Sequence, residues 1–148
     1  MQIIHNSGEI LKVSNAFQTA TAITIGKFEA LHRGHSQLIK STINYVKSHN
    51  HNHHHSLVSV VLSFMPHPVQ ALSDQDYKPL FSTKEQAFLL GKYDIGYWIS
   101  YPFDKNTAKL TPKDFCKLLL MRQPFFPYHR LHPILRSSQS LWRCLKRQ

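Results

Sequence analysis

The fold is decided by the stretch AITIGKFEALHRGH, residues 22–35. Its first four positions carry a β-branched bias, which predicts a strand over 22–25. Gly26 then opens a short loop, and apolar residues at helical spacing follow from about residue 33. The order strand, loop and helix is typical of open α/β sheets, in which ligands bind beyond the carboxyl ends of the strands.

Two histidines stand at the start of the predicted helix. The spacing of three between His32 and His35 puts both imidazoles on one face of its first turn. A helix start also leaves backbone N–H groups without partners and carries a partial positive charge, so it attracts anions. Gly34 has no side chain and lets a nucleotide approach the backbone. The pattern predicts hydrogen-bond donors for phosphate oxygens, although HxGH alone is short enough to arise by chance.

The segment GKFEALHRGH, residues 26–35, resembles the GNFDGVHRGH motif of the bacterial FAD synthetases. These form the FMN adenylyltransferase part of bifunctional riboflavin kinase enzymes, within the HxGH nucleotidyltransferase superfamily. The resemblance implies a Rossmann-like parallel sheet with helices on both faces. Three positions depart from the motif, since Lys27 replaces Asn, Glu29 replaces Asp and Ala30 replaces Gly. Lys27 is the largest change, because a charged stem stands next to the phosphates.

The resemblance also implies a reaction, in which the phosphate of FMN attacks the α-phosphorus of ATP and yields FAD and pyrophosphate. His32 and His35 would stabilise the transition state, Gly26, Phe28 and Gly34 would shape the ATP site, and Mg²⁺ would accompany ATP. No protein residue is expected to bind a metal. A non-catalytic remnant with residual nucleotide binding is the alternative. The riboflavin kinase module has no counterpart here, so no phosphorylation of riboflavin is expected.

A second candidate loop follows the apolar run of residues 57–64, which predicts a strand buried on both faces. The run ends in Met65-Pro66-His67-Pro68, where two prolines restrict the backbone around His67. This segment resembles the family's F-x-P-H-P motif, and the resemblance implies a flavin-side role for His67. Met65 stands where the family has an acidic residue. The alternative is a rigid turn whose histidine points to water.

Further elements follow from periodicity and capping patterns. We predict an opening strand over 2–4, a helix over 33–48, a third strand over 95–101 and a last helix from Thr111. Thr111 is expected to cap this last helix, whose buried stripe is expected to be Phe115, Leu118 and Leu119. A capping box at 82–85 starts another helix that continues to Tyr93, with Phe88, Leu89 and Leu90 expected to face inward. Trp98 is expected to pack in the sheet.

Five histidines lie within residues 49–55. Neutral imidazoles bind transition metals, so adventitious nickel or zinc binding is one interpretation. We favour a solvated connector of low complexity, because no carboxylate or cysteine completes a ligand set and the asparagines suit a turn.

The charge of the chain is unevenly distributed. Residues 1–121 hold 12 Lys and Arg against 8 Asp and Glu, whereas residues 122–148 hold 6 Lys and Arg and no acid. We therefore expect a partial nucleotidyltransferase domain over 1–121 and a divergent basic tail over 122–148. The family's later motifs, G-x-D-F-x-F-G and a Ser/Thr-Arg segment that grips the ATP phosphates, are not found in the tail. A frameshift or early stop would produce such a tail, and an unusual natural extension is the alternative.

Composition limits the remaining classes of function. No run approaches the roughly 18 apolar residues of a membrane span, and the first 11 residues do not resemble a signal peptide. Two cysteines suggest neither a disulfide framework nor a metal pair, so a cytoplasmic location is expected. The tail contains no recognised nucleic-acid-binding module. The predicted partners are ATP and FMN, with little or no FAD formed if the tail replaces the missing motifs.

Overall fold

A computed structural model describes residues 1–4, 20–52, 56–72, 77–111 and 113–115. The tail and the expected boundary at residue 121 lie outside these ranges. The strands and helices of the described part follow one another as β1 (Gln2–Ile4), β2 (Ala20–Ile25), α1 (Arg33–Asn52), β3 (Leu57–Met65), α2 (Pro68–Leu72), α3 (Thr83–Gly91), β4 (Tyr97–Pro102) and α4 (Lys105–Lys109).

The strands form one parallel sheet in the order β1-β4-β3-β2. The β2–β3 register runs from Ala20 opposite Leu57 to Ile25 opposite Leu62. In the ranges that the structure describes, β2 pairs with β3 alone and so forms an edge of the sheet. Parallel strands joined by helices confirm the predicted α/β class.

Side chains of β3 alternate between the two faces of the sheet, as expected for a strand buried on both sides. On one face the buried residues are Ile4, Val60, Leu62, Phe64, Ile99, Tyr101, Phe103 and Phe115. On the other they are Phe28, Ile39, Ile43, Val61, Leu90, Ile95 and Trp98. Trp98 is fully buried and donates its Nε1–H to Ser63 Oγ at 2.8 Å, so the prediction that it packs in the sheet is confirmed.

Helix α1 is longer than predicted. It begins at Arg33 as expected but continues to Asn52, rather than ending at 48. The interpretation of residues 49–55 as a connector with a turn at its asparagines is therefore wrong for 49–52, which are helical. Asn50 accounts for the longer helix, because its side chain pairs with both backbone groups of Leu57. The Leu57 N–H donates to Asn50 Oδ1 at 2.6 Å, and Asn50 Nδ2 donates to the Leu57 carbonyl at 3.0 Å. A tertiary contact thus fixes the helix end; residues 53–55 lie outside the described ranges.

The prediction that Phe88 faces the interior from α3 is wrong, because Phe88 is 69% exposed. Gln86 and Leu90, four residues apart, form the buried face, and three consecutive residues of a helix cannot share one face. The predicted capping box between Ser82 and Glu85 is present.

Two further expectations near the carboxyl end of the sheet have mixed outcomes. The predicted cap of the last helix is present, because Thr111 Oγ1 accepts from the Asp114 N–H at 3.1 Å. Phe115 is buried, whereas Leu118 and Leu119 lie outside the described residues. Helix α4, capped by Asp104, was not predicted.

In the described ranges, no helix has both the length and the apolar character needed to cross a bilayer.

Candidate active site

The first part of the site is the β2–α1 loop, residues 26–32, which begins where β2 ends. Gly26 continues the ladder through its N–H, which donates to the Leu62 carbonyl at 3.1 Å. Phe28 has a φ of 48°, in the left-handed region that non-glycine residues rarely occupy. Its ring lies so close to Gly26 that a Cβ there would stand 3.0 Å from Phe28 Cε2. Gly26 is therefore needed for the packing of Phe28.

Phe28 is buried in the core and packs against the site residue His35. Its residue is only 1% exposed, and its ring lies 4.9 Å from the ring of His35, centroid to centroid. It packs in the same cluster as Ile39 and Ile43 of α1. A ligand therefore cannot reach the Phe28 ring, and any effect of Phe28 on the site passes through the position of His35.

His32 caps helix α1 with its own side chain. Its Nδ1 accepts from the Gly34 N–H at 3.1 Å and lies 3.4 Å from the His35 N–H. The backbone groups expected to be available to an anion therefore already face an imidazole. Gly34 is needed for this contact, because a Cβ there would lie 3.1 Å from His32 Cε1. In this structure, the group that approaches Gly34 closely is the His32 ring.

The rings of His32 and His35 are stacked, with centroids 3.8 Å apart and planes 21° from parallel. His35 Nδ1 lies 2.7 Å from the Ala30 carbonyl, which can only accept, so Nδ1 carries a proton. His32 Nδ1 faces an N–H, so the proton of the neutral His32 ring is on Nε2. The two neutral rings thus differ, since His32 has an N–H donor at Nε2 where His35 has a lone pair.

Burial lowers the pKa of His35 below its ordinary value. The hydrogen bond to Ala30 opposes this shift, and the neighbouring His32 adds to it because two positive rings would repel. At neutral pH the His35 ring is therefore neutral. An anion near its Nε2 would favour protonation, which would turn that nitrogen into a second donor.

The second part of the site is the β3–α3 segment, residues 66–82, of which 73–76 lie outside the described residues. His67 follows β3 and begins this segment beside Pro68 of α2. Its Nδ1 accepts from the Val69 N–H at 3.3 Å, which leaves the proton of the neutral ring on Nε2. Tyr77 stacks on the His67 ring with centroids 4.2 Å apart and planes 8° from parallel. His67 is therefore held by a ring contact and does not simply point to water.

Glu29 joins the two parts. Its Oε2 lies 3.9 Å from His67 Nε2, and its Oε1 accepts from the Leu80 N–H at 2.9 Å. Burial, together with the Glu29 carboxylate, raises the pKa of the Tyr77 phenol, so Tyr77 stays protonated at neutral pH. Burial and the positive charge of Lys27 lower the pKa of His67, and Glu29 partly offsets both.

The structure brings the predicted residues into two groups. The first group lies in the β2–α1 loop and the start of α1 and comprises Gly26, Phe28, His32, Gly34 and His35. His67 lies in the β3–α3 segment, where Glu29 of the first loop contacts it. Tyr77 and the Leu80 backbone were not predicted, because they lie in a segment without periodicity or a motif. The described residues contain no cluster of three or more histidine, cysteine or carboxylate side chains suited to a metal ion.

Comparison with known proteins shows relatives of moderate similarity. The chain is 28% identical over 103 residues to "FAD synthetase" of Listeria monocytogenes, covering 68% of this chain and 39% of that protein. It is 28% identical over 120 residues to "Bifunctional riboflavin kinase/FMN adenylyltransferase" of Escherichia coli K12, covering 80% of this chain and 34% of that protein. The chain thus spans less than two fifths of the length of these relatives.

A solved structure shares the fold. The crystal structure described as a macrolide-efflux protein from Streptococcus pneumoniae matches with a TM-score of 0.65 and 18% identity, over 82% of this chain and 38% of that one. A sequence model of the FAD synthetase family matches residues 14–124. This range includes the β2–α1 loop, the β3–α3 segment and three of the four strands described above. The chain belongs to the FAD synthetase family.

Proposed function

We propose that this chain is an FMN adenylyltransferase domain, which transfers AMP from ATP to FMN and releases pyrophosphate. The observation that carries the proposal is the stacked pair of His32 and His35 at the junction of β2 and α1, with rings 3.8 Å apart. Family membership and the names of the relatives support the choice of ATP and FMN.

The two histidines have complementary parts in this proposal. His32 Nε2–H donates to a phosphate oxygen of bound ATP without any prior change. His35 gains a proton at Nε2 as the phosphate approaches and then donates as well. Donors aimed at oxygens that gain charge in the transition state accelerate phosphoryl and nucleotidyl transfer. The attacking phosphate of FMN is already an anion, so no general base is needed.

Mg²⁺ belongs in the proposal as part of the Mg–ATP substrate. Magnesium prefers oxygen ligands and is often bound by substrate phosphates with few protein carboxylates. The described residues fit a magnesium ion that is held mainly by the ATP phosphates, since they provide no cluster of three candidate ligands. When bound, the ion neutralises phosphate charge.

On the flavin side, we assign His67 as a substrate contact. Its ring is half-buried, lies beside a carboxylate and follows the carboxyl end of β3, where ligands bind in open sheets. The low cysteine content suits a reducing compartment, and we propose a cytoplasmic location.

The test is to incubate the purified chain with FMN, ATP and magnesium and to follow FAD by chromatography. We expect slow formation of FAD, below about 1 per second, that is lost in His35→Ala. The control is His51→Ala, which removes an exposed histidine in the last turn of α1. Equal activity in the parent and in His35→Ala would contradict the proposal.

The alternative is a remnant that binds nucleotide without turnover. Lys27 favours it, because a lysine stem stands in the β2–α1 loop where the family motif has Asn. ATP binding that depends on His35, with no FAD at any enzyme concentration, would support the remnant and contradict catalysis.

A further inference from the structure

Glu29 has an unusual environment for a carboxylate in a surface loop. Its side chain is only 17% exposed, and both of its oxygens face the β3–α3 segment. Oε1 accepts from the Leu80 N–H at 2.9 Å, across 51 residues of sequence. Oε2 lies 3.9 Å from His67 Nε2. A single side chain of one loop thus contacts two separate points of the other.

The contacts of Glu29 extend to the stacked pair of His67 and Tyr77. The two rings are nearly parallel at 4.2 Å, and the buried Tyr77 hydroxyl makes no hydrogen bond of regular geometry although it lies near the Glu29 carboxylate. Among the residues that the structure describes, the titratable groups that face His67 are Glu29, Tyr77 and Lys27. Of these three, Glu29 is the carboxylate, and at 3.9 Å it is close enough to attract the His67 Nε2–H electrostatically.

We propose that Glu29 is a positioning residue, which fixes the β3–α3 segment against the β2–α1 loop and thereby aims His67 at the flavin substrate. The inference rests on the proposed function for its choice of substrate. The hydrogen bond from Leu80 holds the backbone at that residue, and the carboxylate 3.9 Å from His67 Nε2 favours the ring orientation in which its N–H points to Glu29. Substitution of Glu29 is then expected to affect the flavin more than the nucleotide, because His32 and His35 are held by bonds within their own loop.

Electrostatics alone predicts that substitution of Glu29 strengthens ligand binding, the opposite of the effect expected from positioning. FMN and ATP are both anions, so removing a negative charge from the site would strengthen the binding of both if charge were the dominant effect. A merely structural role would weaken both ligands to a similar extent through partial unfolding. Weakened FMN binding with unchanged ATP binding distinguishes positioning from either.

The test compares Glu29→Gln with the parent chain. The amide oxygen of Gln can still accept from the Leu80 N–H, so the fold is retained while the charge is removed. Asp94→Asn is the matched control, because Asp94 is 78% exposed and lies before the amino end of β4, opposite the site. FMN binding is measured by quenching of flavin fluorescence, ATP binding by calorimetry, and the His67 pKa by NMR without ligand.

In Glu29→Gln the amide N–H groups would face the His67 Nε2–H, and two opposed donors no longer favour one ring orientation. We expect FMN affinity to fall about tenfold, with ATP affinity unchanged within about twofold. The His67 pKa should fall further, because the carboxylate that raises it is gone. Equal effects on both ligands, or tighter binding of both, would overturn the inference.

A parent chain that binds no FMN would refute the flavin side of the proposed function. The ligand-free titration then tests whether Glu29 faces His67, on which the positional claim depends. A lowered His67 pKa in Glu29→Gln, with no change in Asp94→Asn, supports it, and an unchanged His67 pKa overturns it.

Discussion

The β2–α1 loop and the β3–α3 segment both lie at the carboxyl end of the sheet, but they are held in different ways. In the first, the imidazoles are fixed by partners within five residues, namely Gly34 for His32 and Ala30 for His35. In the second, the contact that holds the backbone at Leu80 comes from Glu29, 51 residues away. The comparison indicates that the histidine pair forms with its own strand, loop and helix, whereas the contact of Glu29 with Leu80 also requires β2 and β3 to be paired.

The largest expected effect comes from removing the support beneath the first loop. Phe28→Ala deletes a ring that is buried in the core and contacts His35, so it should destabilise the fold by about 3–5 kcal/mol. Urea unfolding measures this free energy. Phe88→Ala is the control, since that exposed ring contacts Lys92 and should cost no more than about 1 kcal/mol. Similar losses in the two variants would mean that Phe28 is not a core residue.

A smaller effect is expected when the histidine pair itself is removed. Each of His32→Ala and His35→Ala deletes a proposed phosphate donor and should weaken ATP binding by about 1–3 kcal/mol. Calorimetry on the double variant checks this, with His51→Ala as the control. Unfolding must be measured alongside, because His32 also caps α1 and its loss should cost about 1 kcal/mol of stability. Equal ATP affinity in the folded double variant and the parent would contradict the assigned site.

The smallest effect is a dependence of stability on pH, to which both parts of the site contribute. The pKa values of His35 and His67 are lowered in the folded state, mainly by burial. The unfolded chain therefore takes up protons first as the pH falls below about 6.5, and stability is lost until both states are protonated. We expect a loss of about 1 kcal/mol or less per histidine, because solvent screens both rings. Unfolding curves at pH 7.5 and 5.5 measure it.

His35→Gln and His67→Gln should each reduce the loss of stability between pH 7.5 and 5.5. Comparison of the two variants shows how much of that loss comes from each part of the site. A parent chain that is more stable at pH 5.5 than at pH 7.5 would contradict the cause given for the shifts.

Sequence reasoning succeeds where the determinants are local. The strand, Gly26 and the spacing of His32 and His35 lie within 14 residues, so periodicity and a short motif suffice to predict their order. The buried run of β3 is equally clear, because a strand covered on both faces is almost continuously apolar.

The failures share a dependence on distant contacts or on uncommon chemistry. The end of α1 depends on Asn50 pairing with Leu57, which no local pattern reveals. Capping of α1 by His32 was missed because Ser, Thr, Asp and Asn are the usual caps. The roles of Tyr77 and Glu29 depend on contacts with His67 and Leu80, which are distant from them in the sequence.

In the proposed function, ATP binds at the stacked histidines and His35 takes up a proton from solvent as the phosphates approach. The most direct measurement is nitrogen NMR of the imidazoles at pH 7.5, before and after ATP is added. In the free chain His35 should carry its proton on Nδ1 alone, as its contact with Ala30 requires. With ATP bound, His35 should become doubly protonated while His51 does not change. Saturation with ATP that leaves the signals of His32 and His35 unchanged would contradict the claim.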